Sequence, residues 1–192
     1  MKEVFNLQKN FCRPSSKIVN PNKIFAEHDF SIGRKLRVGY LTSDFCEHPV
    51  GYNLLPLIKH HDQKDVEIYL YSNVESRDFV TNQFIETADN WRDIKHLNDN
   101  QVANIIRNDQ IDIMVYLAGR FNGNRPEVAI YRPAPVQISF HDCATTGMEA
   151  VDYWLTDADL HPIGTEELFV EKLYRLPQFY QFTVPTNTPH TA

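Results

Sequence analysis

Residues able to do chemistry lie in three short loops, each of which follows an apolar run. The first loop carries Ser43, Asp44 and His48, with Gly51 close behind. His48 precedes Pro49, whose ring restricts the backbone and should hold the imidazole on a stiff corner. A general base needs such a fixed placement and a pKa near neutrality. The spacing alone leaves two interpretations open, a catalytic histidine and a histidine that is exposed or only caps a helix.

The second loop, "AGRFNGNR", follows the apolar run "IDIMVYL". Gly119 and Gly123 loosen the backbone at the point where Arg120 and Asn122 project. The guanidinium of Arg120 is suited to pair with a phosphate or a carboxylate. The alternative is a solvated arginine on a turn, where an ion pair contributes little.

The third loop, "HDCATTG", follows the apolar run "PVQISF". Its first three residues, 141–143, could bind a metal or build a nucleophile. Consecutive side chains on extended backbone point to opposite faces, and no Cys-x-x-Cys pair accompanies them, so we predict no metal site. Thr145, Thr146 and Gly147 are small enough to hydrogen-bond a sugar or phosphate at close approach.

One further stretch, "TDADLHP", contains Asp157, Asp159 and His161. Carboxylates and histidine can bind divalent cations, and Asp-x-Asp occurs in metal-dependent glycosyltransferases. The match is short, and Asp and Pro are typical of turns. We therefore predict a turn rather than a metal site.

The composition of the chain is that of an ordinary globular protein. It has 192 residues, of which 42% are apolar and 23% charged, and a formal net charge of −6. Without clustered cations, nucleic-acid binding is not expected. No apolar stretch approaches the roughly 20 residues of a membrane span, and no secretory signal is evident. The three scattered cysteines argue against a disulfide framework. These features predict a soluble cytoplasmic protein.

The apolar pattern alternates between strands and helices from residue 35 onward. Predicted strands are "KLRVGYL", "VEIYLYS", "IDIMVYLAG", "PVQISF", "VDYWLTD" and "EKLYRLP"; predicted helices are "GYNLLPLIKHH", "RDFVTNQFIETA" and "NDNQVANIIRND". This order predicts an α/β fold with a doubly wound, mostly parallel sheet, which places ligands at the carboxyl ends of its strands. We predict a helical or irregular lead-in over 1–34 with a short helix ended by Gly33, a Rossmann-like domain over 35–180, and a polar tail over 181–192.

Several motifs together resemble one family. "KLRVGYLTSDFCEHPVGY", "RNDQIDIMVYLAGRFNGNR", "YRPAPVQISF", "TTG", "DYWLTD" and "EKLYRLP" occur in the order found in the O-linked N-acetylglucosamine transferases, which include the plant SPINDLY type. The resemblance covers roughly residues 20–180. It implies one half of a GT-B fold, the N-terminal Rossmann-like half, with a lead-in that resembles the connector after tetratricopeptide repeats.

The resemblance also implies an activity. The family transfers N-acetylglucosamine from UDP to Ser or Thr of an acceptor protein or peptide, with inversion and without an essential metal or other cofactor. His48 matches the family's His-Pro histidine and becomes the candidate catalytic residue. The candidate substrate-binding residues are Pro49, Gly51, Tyr52, Gly119, Arg120, Thr145, Thr146 and Gly147.

The sequence departs from the family pattern at the ends of the cleft-facing loops. Many bacterial relatives have aspartate, histidine and threonine where this chain has Tyr116, Arg120 and Phe121. The resemblance further implies that most UDP contacts come from a C-terminal half, so we expect the chain alone to bind UDP weakly and turn over little. The alternative hypothesis is a non-catalytic paralogue that acts as a protein-interaction module. An unrelated nucleotide-binding Rossmann domain is a third hypothesis, which the missing G-x-G-x-x-G disfavours.

Overall fold

The computed structural model describes residues 25–121 and 123–178, which form a single parallel sheet with helices on both faces. The strands are β1 Leu36–Thr42, β2 Val66–Ser72, β3 Asn90–Asp93, β4 Ile113–Leu117, β5 Val136–Phe140, β6 Tyr153–Asp157 and β7 Lys172–Leu176. The helices are α1 Pro49–Lys59, α2 Phe79–Thr87, α3 Asp99–Asn108 and a 3-10 helix Pro126–Tyr131. The sheet order is β3-β2-β1-β4-β5-β6-β7, and every neighbouring pair is parallel. The predicted α/β class is confirmed.

One apolar core packs on each face of the sheet. In β2, Ile68 and Leu70 pack on the α1–α2 side, whereas Tyr69 and Tyr71 pack with α3 and the 3-10 helix. Alternating side chains of a strand point to opposite faces, so this strand is buried on both. Helices on both faces are the signature of a doubly wound sheet.

The helices start where the sequence offers a cap. Asn98 caps α3: its side chain accepts from the backbone N–H of Gln101 at 3.0 Å, and the Gln101 side chain accepts from the Asn98 N–H at 2.9 Å. This reciprocal pair is a capping box and satisfies donors that helix formation leaves unpaired. Val102 and Ile106, two apolar residues of this predicted helix, are fully buried. The predicted start of α3 is confirmed.

Two elements were not predicted. The edge strand β3 has only four residues, "NWRD", and pairs with β2 alone. A run so short and polar shows no period-two signal. The 3-10 helix begins at Pro126, and its six residues are too few to show a helical stripe.

The described part of the lead-in is joined to the amino edge of the sheet. Asp112, just before β4, accepts from both terminal nitrogens of Arg34 at 2.6–2.7 Å and from the backbone N–H of Arg37 at 2.8 Å. His28 Nε2 lies 2.7 Å from the same carboxylate. Partial burial alone would raise the pKa of Asp112, but these contacts hold it below its usual value, and the hydrogen bonds from Arg34 contribute most to the lowering.

Residues 25–34 form turns without a helix, and Gly33 lies in one of these turns with a φ of +89°. The remainder of the predicted lead-in, residues 1–24, and the predicted tail over 181–192 lie outside the described residues. The domain boundaries therefore stay predictions. Among the helices that the structure describes, none combines the length and the apolar character needed to cross a membrane.

Candidate active-site edge

The predicted loops lie at the carboxyl ends of three adjacent strands. The loop with His48 follows β1, the loop with Arg120 follows β4, and the loop with Thr145 follows β5. In the sheet, β4 lies between β1 and β5. The chain winds one way from β1 and the other way from β4, so the β1–β4 junction is a topological switch point. Open parallel sheets bind ligands in the crevice at such a point.

His48 begins helix α1 and uses one ring nitrogen to do so. Its Nδ1 accepts a hydrogen bond from the backbone N–H of Val50 at 3.2 Å. A backbone N–H can only donate, so Nδ1 is unprotonated and the neutral ring carries its proton on Nε2. The carboxylate of Asp44 lies 3.8 Å from Nδ1, and 45% of the His48 side chain is exposed. The ring is therefore held by the fold and presents an N–H donor at the switch point.

Gly51 allows the first turn of α1 to lie directly on the β1 loop. A side-chain carbon at this position would collide with the carbonyl oxygens of Asp44 and Cys46. Pro49 is exposed at the first helical position, where a missing N–H costs nothing. Tyr52 is 39% exposed, and its hydroxyl donates to Glu47 at 3.1 Å. Contact of these three residues with substrate stays a prediction.

The β4 loop is pressed against the β5 loop. Gly119 has a φ of +53°, and a side chain there would collide with the carboxylate of Asp142. Arg120 is used within the protein: its Nε donates to Glu127 at 2.9 Å and a terminal nitrogen donates to the carbonyl of Thr146 at 3.0 Å. Arg120 thus ties the two loops together. A phosphate contact stays a prediction, and it would compete with Glu127.

Thr145, Thr146 and Gly147 lie inside the protein on the return path from β5 to β6. All three are buried. The Thr145 hydroxyl donates to the carboxylate of Glu171 at 2.5 Å, and the backbone N–H of Thr146 donates to it at 2.7 Å. The Thr146 hydroxyl also contacts Glu171. Direct sugar or phosphate binding stays a prediction, and it would require these hydroxyls to leave the buried carboxylate.

The run of residues 141–143 has the properties of a partly buried turn. Burial lowers the pKa of His141 to about 4, so the ring is neutral at pH 7. Burial also raises the pKa of Asp142. Burial and the neighbouring carboxylate raise the pKa of the Cys143 thiol, which disfavours the nucleophilic thiolate. Within 25–121 and 123–178, no group of three His, Cys, Asp or Glu side chains is arranged to hold a metal ion.

The Asp-x-Asp stretch forms the predicted turn. The carboxylate of Asp157 accepts from the backbone N–H groups of Asp159 and Leu160 at 3.1 and 2.8 Å. His161 lies beside Thr156, with its Nδ1 2.5 Å from the hydroxyl. An Asp side chain in a turn typically accepts hydrogen bonds from backbone N–H groups two and three residues further along the chain.

The motif "RPAPVQ" lies at the opposite, amino edge of the sheet. Arg132 donates to the carbonyl groups of Ala150 and Pro135, each at 2.7 Å. Gln137 is fully buried; it donates to Ala150 at 2.6 Å and accepts from the hydroxyl of Tyr116 at 2.7 Å. These contacts satisfy buried polar groups around the start of β5. The motif therefore positions a strand and does not reach the carboxyl edge.

Two residues that hold the loops and connections of the sheet were missed by the sequence analysis. Asn124 bonds to the β1 loop, and Glu171 holds the threonines of the β5–β6 connection. Both are polar residues outside the helices and strands, where side chains are usually solvated. The only available signal was the "GNR" triplet after the flexible second loop, which belongs to the motif that carries the family resemblance.

Comparison with known proteins supports the resemblance. The profile of the family described as Glycosyl transferase family 41 matches residues 3–185. SPINDLY of Solanum lycopersicum is 35% identical over 158 residues, which is 80% of this chain and 17% of that protein. The UDP-N-acetylglucosamine–peptide N-acetylglucosaminyltransferase of Caenorhabditis elegans is 30% identical over 151 residues, which is 77% of this chain and 13% of that protein.

A solved structure shares the fold. A lysine-to-methionine mutant of the O-GlcNAc transferase of Thermobaculum terrenum superposes with a TM-score of 0.82 at 34% sequence identity. The match covers 98% of this chain and 36% of that one. The chain thus spans about a third of this solved relative and about a sixth of the curated relatives it matches.

Proposed function

The chain belongs to glycosyl transferase family 41, and on that premise we propose that it forms the N-terminal wall of the substrate cleft in a protein glycosyltransferase. The enzyme would move N-acetylglucosamine from UDP to a Ser or Thr hydroxyl of an acceptor protein. The observation that carries the proposal is the position of His48, held at the start of α1 beside the β1–β4 switch point. Parallel α/β sheets place their ligands there.

The proposed reaction is a single displacement. The acceptor oxygen forms a bond to the anomeric carbon while the bond from that carbon to the phosphate oxygen breaks. UDP leaves with the electron pair, the acceptor proton passes to water, and the configuration inverts. We propose that no metal or other cofactor takes part. A closed cleft needs two walls, and a C-terminal half of the enzyme would supply the second one. Cationic groups of that half would offset the negative charge on the leaving diphosphate.

His48 is suited to orient the acceptor in this reaction. Since Nδ1 accepts the Val50 N–H, Nε2 carries the proton and can donate to the acceptor oxygen or to the sugar. Deprotonation of the acceptor by His48 would first require the helix cap to open. We therefore propose that the main role of His48 is to position the acceptor hydroxyl. Correct positioning of the reacting groups can lower the barrier of a displacement substantially.

A non-catalytic interaction module remains the alternative, and specific contacts favour it. Arg120 is engaged by Glu127, the two threonines are engaged by Glu171, and Tyr116 is buried against Gln137. Burial raises the pKa of Tyr116 well above its usual value, so its hydroxyl stays protonated. None of these side chains is poised for proton transfer. The cytoplasmic location and the neighbouring tetratricopeptide repeats stay predictions from the sequence.

Transfer of radiolabelled N-acetylglucosamine to acceptor proteins tests the proposal. The chain is combined with the C-terminal half of a family relative, and each piece is also assayed alone. We expect transfer only from the combination, and at least a tenfold loss with His48→Ala. His96→Ala, at an exposed position after the edge strand β3 and two strands away from β1, is the matched control and should keep full transfer. Undiminished transfer by His48→Ala would remove His48 from the mechanism.

Calorimetric titration separates the two hypotheses further. The combined halves should bind UDP-N-acetylglucosamine more tightly than the chain alone, because both walls then contact the ligand. If the combination binds no nucleotide sugar although the two halves associate, the interaction module is the correct assignment.

A further inference from the structure

Asn124 joins the loop after β4 to the loop after β1. Its side-chain oxygen accepts from the Ser43 N–H and from the Thr42 hydroxyl, both at 2.8 Å. Its side-chain nitrogen donates to the carboxylate of Asp44 at 3.0 Å. One amide side chain therefore satisfies three groups of the β1 loop, directly at the switch point of the sheet.

The chemistry of these partners requires an amide at position 124. The Ser43 N–H can only donate, so it must face the side-chain oxygen of Asn124. The ionised carboxylate of Asp44 can only accept, so it must face the side-chain nitrogen. An aspartate at this position would keep the first contact and turn the second into a repulsion between two carboxylates.

Asp44 extends this arrangement to His48. The Asp44 side chain is buried and also accepts from the Ser43 hydroxyl at 3.1 Å. Its carboxylate lies 3.8 Å from His48 Nδ1, and its backbone carbonyl lies against Gly51 in the first turn of α1. A shift of the β1 loop would therefore move the start of α1 together with the imidazole.

We propose that Asn124 is a positioning residue for His48, acting through Asp44 and the β1 loop. The use of His48 in transfer rests on the proposed function, whereas the positioning itself does not. Loss of the Asn124–Asp44 contact should release the β1 loop, open the Val50–His48 cap and let the ring exchange between its two neutral tautomers. The core of the sheet is not part of this contact and should keep its stability.

A reciprocal exchange of the two side chains tests the proposal. Asn124→Asp breaks the donor–acceptor match, because two carboxylates then face each other. Asp44→Asn alone can turn its amide oxygen towards the Asn124 nitrogen, so it keeps the match and serves as the reference for the double variant. The double variant Asp44→Asn/Asn124→Asp restores one donor and one acceptor. Asn100→Asp, at an exposed helix position, adds the same charge without touching the loops.

The readouts are the His48 tautomer by nitrogen NMR and amide hydrogen exchange, measured on the whole chain without substrate. We expect the Val50 amide to exchange about fivefold faster in Asn124→Asp, and His48 to show mixed tautomers, because a net hydrogen bond contributes about 1 kcal/mol. The double variant should return to within about twofold of the original chain. The Leu70 amide in β2 reports global unfolding and should not change.

An Asn124→Asp variant that leaves Val50 and His48 as they are would overturn the proposal. So would a double variant no better than Asn124→Asp. If Asn124→Asp does not fold, recovery of folding in the double variant supports the same donor–acceptor match, and lack of recovery contradicts it. None of these results depends on sugar transfer, so failure of the proposed function would leave them intact.

Discussion

His48 differs from the other candidate residues in how the fold uses it. One ring nitrogen caps α1, and Nε2 has no hydrogen bond to any residue that the structure describes. By contrast, Thr145 and Thr146 give their hydroxyls to Glu171, and Arg120 gives its guanidinium to Glu127. A polar group without a partner in the fold is the one that can bind a ligand at no internal cost.

His141 should make the stability of the protein depend on pH. Burial lowers its folded-state pKa to about 4, against 6.5 for the free side chain. The unfolded chain therefore takes up the proton first, so this contribution is complete above about pH 6.5 and is lost as the pH falls towards 4. Each pKa unit between the folded and the unfolded chain corresponds to about 1.4 kcal/mol in the free energy of unfolding. The contribution of His141 therefore has an upper limit of about 3 kcal/mol.

Urea unfolding of the His141→Asn variant between pH 4 and 7 measures this contribution. Asparagine tolerates the left-handed backbone at this position, where φ is 56°. The raised pKa of Asp142 acts in the opposite direction, so the difference between the two curves isolates His141. We expect the difference in the free energy of unfolding between His141→Asn and the original chain to change between pH 4 and 7. His96→Asn, an exposed control, should show the same pH dependence as the original chain. Parallel curves for His141→Asn would show that burial does not govern this histidine.

At the scale of elements, periodicity predicted most of the sheet and little of what joins its loops. β1, β2 and β4–β6 carry apolar runs that the sheet buries, and β7 was also predicted as a strand although it is an edge strand with no fully buried residue. β3 was not predicted because its residues, "NWRD", show no apolar pattern. Its register is set by pairing with β2. The partners of Asn124 and Glu171 are distant in sequence, and no local pattern encodes such contacts.

Glu171 shows how the fold uses a buried acid to shape a connection without a helix. The path from β5 to β6 covers residues 141–152, and its middle is held by three donors converging on this carboxylate. Glu171→Gln replaces one accepting oxygen with a donor, so at least one of the threonine groups loses its partner. We expect a loss of about 1–3 kcal/mol in the free energy of unfolding.

Urea denaturation gives the measurement for this variant, and Glu149→Gln is its matched control. Glu149 is exposed on the same connection, and we expect its substitution to change stability by less than about 0.5 kcal/mol. Equal stabilities for the two variants would mean that the Glu171 carboxylate does not hold the connection.

At the scale of the whole molecule, the two edges of the sheet have different tasks. The amino edge carries the contacts of Arg132, Gln137 and Asp112, which satisfy buried polar groups and fix the strands. The carboxyl edge carries His48 and the loop held by Asn124. The motif "RPAPVQ", one of those that carry the family resemblance, thus lies at the opposite edge from the proposed chemistry.

The most direct test of the central claim is an amide chemical-shift map. UDP-N-acetylglucosamine is added to the labelled chain in the presence of a C-terminal half from a family relative, with the unliganded pair as reference. The account predicts perturbations at residues 43–51, at 119–124 and around 141–144, and none around Arg132 and Gln137. Perturbations concentrated at the amino edge, or absent although the sugar nucleotide binds, would contradict it.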